Sequence, residues 1–266
     1  MRHTARETQT PGWDASLYLK YADERTRPAR DLLAQVPITD PPRAYDLGCG
    51  PGNSTELLAT RFPRAAIVGI DSSAAMLERA RRALPRVAFE MADLAAWRAP
   101  QPADLLFSNA AFQWVPDHLR VLRTLVEALP CGGILAVQIP DNLGEPSQVL
   151  IREIAEHGAW AERLAGAEGE RQTIPAPAVY YELLAPLCRH FDLWHTVYQH
   201  VMAGAPAIVE WMTGTGLRPH LARLQANERQ AFLAAYTERI AAAYPALDDG
   251  RVLFPFPRLF LIAVKA

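Results

Sequence analysis

Asp46-Leu47-Gly48-Cys49-Gly50-Pro51-Gly52 is an acid followed, two residues on, by three glycines at alternate positions. The run Arg43-Ala44-Tyr45-Asp46-Leu47 ahead of it reads as a short buried strand. Behind it, Asn53 and Ser54 offer side-chain caps to a helix through Thr55-Glu56-Leu57-Leu58-Ala59. A strand, a glycine turn and a helix start let a ligand approach bare backbone and helix-end N–H groups. The spacing is G-x-G-x-G, not the G-x-G-x-x-G of dinucleotide sites. An acid two residues before the first glycine would also repel a pyrophosphate. It suits a ligand carrying an ammonium or a sulfonium.

Two further strand tips carry acids. Ala65-Ala66-Ile67-Val68-Gly69-Ile70 ends at Asp71, where a carboxylate can accept both hydroxyls of a ribose. Asp71 would equally cap the helix Ser72-Ser73-Ala74-Ala75-Met76-Leu77. Val87-Ala88-Phe89-Glu90-Met91-Ala92 ends at Asp93, which can take the exocyclic amine of adenine while the Leu94 N–H reaches the ring. Alone, Asp93 reads as a loop or cap residue. Three acids at three successive strand tips after one glycine turn point to S-adenosylmethionine as cofactor.

The chain has 266 residues, half of them apolar, enough for one core plus an appended subdomain. A formal charge of −2 argues against nonspecific nucleic-acid binding, which needs a basic face. Cys49, Cys131 and Cys188 are widely spaced, so neither a metal site nor a disulfide framework is expected. Cys49 reads as a small filler in the glycine loop. No apolar signal core or membrane span is evident. These features describe a soluble, cytoplasmic protein.

Strands and helices alternate from residue 44 to 140: strands at 44–48, 65–71, 87–92, 103–109 and 133–140, helices at 53–62, 73–84 and 117–129. The pattern predicts an α/β fold, a Rossmann-like parallel sheet covered on both faces. Ligands bind outside the carboxyl ends of such strands, where Gly48, Asp71, Asp93 and Asn109 fall. Residues 1–12 read as a disordered tail and 13–266 as one domain. Helical segments at about 13–36, 146–186 and 205–244 are expected to form a lid. Strand character returns at Phe191–Met202, where Leu193, Val197 and Val201 share one parity and Trp194 and Tyr198 the other. Residues 257–264 read as a final buried strand.

With these residues in view, the chain resembles the class I S-adenosylmethionine-dependent methyltransferases. Within that family it is similar to the members that methylate trans-aconitate. The matching segments include Asp46–Thr55, Gly69–Ser73, Asn109-Ala110-Ala111-Phe112-Gln113-Trp114 and Gln138-Ile139-Pro140-Asp141-Asn142. Thr213–Pro219 and Phe256–Phe260 lie outside the generic cofactor module and carry the narrower likeness. The resemblance implies a seven-stranded sheet with the last strand antiparallel. It implies methyl esterification of a carboxylate, and cofactor contacts from Gly48, Asp71, Asp93 and the segment Asn109 to Gln113. Asp46, Gly50, Gly52 and Leu94 complete the expected cofactor set.

A carboxylate with a pKa of about 4 is ionised at neutral pH and attacks a sulfonium methyl without a general base. No catalytic acid or base is therefore expected, and the protein's work is alignment. A tricarboxylate needs cationic partners, for which arginine is suited. The candidates are Arg218 in the turn Gly216-Leu217-Arg218-Pro219, then Arg25 and Arg27, then Arg258. Trp114, His118, His195, Tyr198 and Trp211 fall near the expected cleft, and Tyr18 or Tyr21 would cover the methionine end of the cofactor. For Trp114 and Trp211, core or lid packing explains the residue better than a ligand contact does, and helix-face packing explains Tyr18 or Tyr21 as easily. The chain is expected to work as a monomer. The same fold could instead serve a carrier-bound malonyl group, through a basic surface at Arg79, Arg81 and Arg82, or another small acceptor. A nicotinamide oxidoreductase is disfavoured by the glycine spacing and Asp46, and a non-enzymatic cofactor-binding regulator is the remaining alternative.

Overall fold

The computed structural model describes residues 22–167 and 173–266. The expected N-terminal tail, with Tyr18 and Tyr21, lies outside them.

Seven strands form one sheet: β1 (Arg43–Leu47), β2 (Ala66–Asp71), β3 (Ala88–Met91), β4 (Leu105–Asn109), β5 (Ile134–Pro140), β6 (Cys188–Met202) and β7 (Val252–Lys265). Their order is β3-β2-β1-β4-β5-β7-β6. The pairs β1–β2, β2–β3, β1–β4 and β4–β5 are parallel, and β7 runs antiparallel to β5. This is the expected α/β architecture. All seven residues of β5 are buried, as a central strand covered on both faces requires. The order reverses between β1 and β4. Ligand crevices open at the carboxyl ends of strands at such a point.

One face of the sheet packs Tyr45, Leu47, Leu106, Leu135, Val137, Ile139, Leu259 and Leu261 against Val121, Leu122 and Leu125 of the helix His118–Ala128. The helix Pro177–Leu184 belongs to the same cluster through Tyr180 and Leu184. His118 Nε2 lies 2.7 Å from the Tyr180 hydroxyl, and their rings stack. The opposite face carries the alternate residues Asp46, Phe107, Asn109, Gln138 and Phe260.

The helix expected at about 14–36 is described from Ala22 to Gln35. Arg61, in the helix Asn53–Arg61, ties its end down by donating to the carbonyls of Leu33, Val36 and Ile38. The Leu33 and Val36 carbonyls also accept the backbone N–H groups of Val36 and Ile38, so the guanidinium fills remaining acceptor capacity around the helix end.

The chain divides into two compact units. The sheet unit holds residues 23–143, 173–199 and 255–266; the helical unit holds 144–167 and 200–254. The expected insert 146–186 is therefore shared between them. The expected helical segment over 205–244 consists of the helices Ala205–Thr213, Arg218–Arg223 and Ala226–Ala243. In the helical unit, Tyr236 donates to the Ser147 carbonyl and Ser147 N–H donates to the Tyr244 hydroxyl. Trp211, Phe254 and His200 form its aromatic core. Among the described residues no helix is long and apolar enough to cross a membrane.

Candidate active site

The turn after β1 is built from backbone that only glycine tolerates. Gly48 has φ +75°, and a Cβ there would sit 2.2 Å from the Ala111 Cβ. The backbone N–H groups of Gly48 and Cys49 both donate to the Ile70 carbonyl, pinning the turn to β2. Gly52, at φ +101°, is the N-cap of the helix Asn53–Arg61 and makes no side-chain cap bond. The expected capping by Asn53 and Ser54 is thus corrected. Ser54 and Thr55 turn their hydroxyls inward and donate to Asp46 Oδ2 at 2.7 and 2.6 Å.

Asp46 is fully buried, and its Oδ1 has no protein partner. Burial pushes its carboxyl up to about 6, opposed by the Thr55 and Ser54 hydrogen bonds and aided by the nearby Asp71 charge. Asp71 is itself engaged: Oδ2 accepts Gly50 N–H at 2.9 Å and Oδ1 accepts Ser73 N–H at 2.8 Å. The cap of the helix Ala74–Ala83 is Ser73, whose side chain accepts Met76 N–H. Asp93, at the tip of β3, accepts Ala95 N–H and shapes the next turn. Leu94 brings its Cδ1 within 3.7 Å of where a Gly48 Cβ would stand, so this turn lies against the glycine turn.

From β4 the segment Asn109–Gln113 closes the same place. Ala110 has φ +57°, a left-handed conformation costly for a residue with a Cβ. It is held there by its N–H on the Gln138 carbonyl and by Gln113 Nε2 on its own carbonyl. Asn109 Oδ1 and Gln113 Oε1 are buried without protein partners. With Asp46 Oδ1 they make three orphaned oxygens, all acceptors. Buried acceptors without donors are uncommon and costly. They fit a ligand whose buried end is cationic and rich in N–H groups. Cys49 contributes no chemistry: burial pushes its thiol up, keeping it protonated.

Two of the expected arginines meet on the same sheet face. Arg258, on β7, is 4% exposed and donates to Gln138 Oε1 at 3.2 Å. Its guanidinium stacks 4.5 Å from the Phe256 ring centroid and 5.9 Å from that of Tyr198. Arg27 lies 5.1 Å from the Tyr198 ring and 3.7 Å from Asp31. The Tyr198 hydroxyl donates to Asp31 at 2.7 Å; burial, then that bond, push its phenol up.

The Arg25 side chain falls outside the described part of the structure. Arg218 is exposed at the start of a short helix in the helical unit. Trp211, expected to position substrate, is 2% exposed and stacked on His200, so it serves the core of the helical unit. Its position inside the helix Ala205–Thr213 directs it inward with Ile208 and Met212. Trp114, by contrast, is 54% exposed beside the Asn109–Gln113 segment. His118 is held neutral by burial and bonded to Tyr180. His195 pairs with Asp141 at 2.9 Å. Arg81 donates to the Phe89 carbonyl and Arg82 pairs with Glu78, which engages two of the three cations that a carrier-protein surface would require.

Comparison with known proteins decides the family. Residues 44–133 match a methyltransferase domain. A trans-aconitate 2-methyltransferase of Rhodopseudomonas palustris (strain BisB5) is 56% identical over 253 residues, covering 95% of this chain and 99% of that protein. One from Sinorhizobium fredii is 57% identical, covering 96% and 99%. This chain belongs to the trans-aconitate 2-methyltransferase family. Members of this family are class I S-adenosylmethionine-dependent methyltransferases, and the glycine turn and orphaned acceptors described above fit that cofactor. Among solved structures, Haemonchus contortus phosphoethanolamine N-methyltransferase 2, in complex with S-adenosylhomocysteine, superposes with a TM-score of 0.54 at 17% identity. It covers 90% of this chain and 52% of that one, and shows the shared fold.

Sequence reasoning passed over Gln138, Asp31 and the inward role of Ser54 and Thr55. A signal existed for Gln138: it is the one polar residue in the run Ile134-Leu135-Ala136-Val137-Gln138-Ile139-Pro140.

Proposed function

We propose that the protein methylates a carboxylate of trans-aconitate, a small tricarboxylic acid, using S-adenosylmethionine. The bound cofactor supplies an electrophilic sulfonium methyl; the carboxylate oxygen gains the carbon and the thioether leaves neutral. Asp46, Asn109 and Gln113 supply acceptors for the ammonium end. Gly48, Gly50 and Gly52 let the backbone approach closely. Asp71 and Asp93, with Leu94, stand at the strand tips to meet ribose and adenine.

Arg258 and Arg27 supply charge for the acid's carboxylates, and the Tyr198 ring lies against both guanidinium groups. Burying a carboxylate costs several kcal/mol unless charged donors meet it, so the arginines set which acids enter (roughly 1.5–3 kcal/mol per charged hydrogen bond). Arg25 and Arg218 remain candidates for the same charge. No base is needed, because the acceptor is already ionised. The two histidines expected near the cleft are committed elsewhere, His118 to Tyr180 and His195 to Asp141. The protein acts as a cytoplasmic monomer in this reading.

The observation that carries the proposal is that identity to the relatives extends over 253 residues, far outside the matched 44–133 domain. The arginines, Tyr198 and β7 all lie in that outer part. The test is binding of trans-aconitate to protein saturated with S-adenosylhomocysteine. Calorimetry should show a one-to-one complex and a raised melting temperature. Absence of binding at millimolar acid would reject the substrate.

A further inference from the structure

The Gln138 side chain is fully buried on β5, one strand from Asn109 and one from β7. Its backbone carbonyl holds Ala110 N–H, and its Oε1 accepts from Arg258 Nη1. Its Nε2 is buried with no protein partner. Strand register fixes the neighbourhood. Asn109 pairs with Gln138, Gln138 with Phe260, and Pro140 with Arg258. Because side chains alternate along a strand, Asn109, Gln138 and Phe260 lie in one row on one face, with Arg258 two residues along β7 from Phe260.

The orphaned atoms change sign across this row. At Asp46, Asn109 and Gln113 they are oxygens, which suit a cationic ligand end. At Gln138 the orphan is a donor, next to a guanidinium. An amide that gives its oxygen to Arg258 fixes its own rotation, because only one flip offers oxygen to that donor. The N–H₂ then needs an acceptor of its own, and a buried amide donor without one costs roughly 1–3 kcal/mol.

We propose that Gln138 is a substrate-binding residue: its Nε2 donates to a carboxylate of the tricarboxylic acid that Arg258 also holds. This inference rests on the proposed function. The amide and the guanidinium form a donor pair that selects a carboxylate, and the Gln138 carbonyl on Ala110 ties that pair to the cofactor segment. Gln138 therefore couples acid recognition to the Asn109–Gln113 segment through a single residue.

The test uses Gln138→Leu and Gln138→Glu in the full chain, with trans-aconitate as probe. Leu keeps the volume and removes both amide functions. Glu keeps a partner for Arg258 and replaces the donor by a charge that repels the acid. The expected result is a KM for trans-aconitate raised at least tenfold in Leu and further in Glu. The Kd for S-adenosylhomocysteine, by calorimetry, should stay within threefold of wild type in both. An unchanged KM in both variants would overturn the inference. So would a cofactor Kd that rises as much as KM, or failure of Gln138→Glu to fold, each of which makes Gln138 a structural prop. If wild-type protein itself leaves trans-aconitate unmethylated, the proposed function fails instead, and the two failures are thereby distinguished.

Discussion

Asp71 Oδ2 accepts the Gly50 N–H at 2.9 Å while its Oδ1 accepts the Ser73 N–H at 2.8 Å. One carboxylate therefore ties the glycine turn to the start of the next helix. It keeps its remaining lone pairs for a ligand, since each oxygen can accept twice. The proposed cofactor role of Asp71 is consequently linked to its turn-holding role.

Asp71→Asn removes the charge and one acceptor oxygen together. Only one oxygen remains, so one of the two backbone bonds must be given up. We expect cofactor affinity to fall at least tenfold, with a melting temperature lower by several degrees (~1.5–3 kcal/mol for one lost hydrogen bond to charge). Asp71→Ala should weaken binding further, about 100-fold or more. Calorimetry with S-adenosylhomocysteine reads both, and unaltered affinity would refute the ribose role.

Gly48→Ala should abolish cofactor binding. The new Cβ would lie 2.2 Å from that of Ala111, and the residue would be forced to hold φ +75°. The turn must then move away from the Asn109–Gln113 segment. Gly50→Ala is the informative contrast, because no atom lies within 4 Å of its Cβ position; only the φ of +54° opposes it. Its penalty should be about 1 kcal/mol and its cofactor site partly preserved.

Asp46 predicts opposite pH trends for stability and binding. Its carboxyl titrates near 6 when folded and near its ordinary value when unfolded. Between those values the folded state holds more protons, so its stability contribution is present at low pH and lost as pH rises through about 6. A ligand ammonium prefers the ionised form, so cofactor affinity should fall as pH drops below about 6. Asp46→Asn should flatten both dependences. Melting curves and cofactor titrations from pH 5 to 8 measure them, and parallel slopes would contradict the assignment.

Arg258→Lys should raise KM for the acid at least tenfold while leaving cofactor affinity nearly unchanged. An ammonium cannot reproduce the planar fork that meets Gln138 and stacks on Phe256. Arg27→Ala should raise KM less, since that cation is shared with Asp31 and is exposed. Unchanged KM for alanine replacements of Arg25, Arg27, Arg218 and Arg258 alike would remove the arginine account altogether.

The sheet edge was legible because acids and glycines fell where apolar strands ended. Gly48, Asp71, Asp93 and Asn109 needed only strand periodicity and turn chemistry to be placed together. Tertiary pairing was not legible. Ser54 and Thr55 look like caps in sequence, yet a buried Asp46 beneath them takes their hydroxyls. Trp211 looks like a ligand-facing aromatic, but its helix turns it into a core with His200 and Phe254. The two parities of β6 divide along the strand: Trp194 and Tyr198 pack toward Phe260, Phe191 and Leu193 pack against the core cluster, and Val197 and Val201 remain exposed. The meeting of Arg27 with Arg258 around Tyr198 depends on contacts between distant parts of the sequence, such as that of Tyr198 with Asp31, 167 positions apart. No local pattern announces such a contact.

The central claim is tested most directly by mass spectrometry of products after purified protein is incubated with S-adenosylmethionine and a panel of di- and tricarboxylic acids. The account predicts that trans-aconitate gains one methyl group as an ester, faster than cis-aconitate, citrate or isocitrate. Cofactor binding without methylation of any acid in the panel would contradict it.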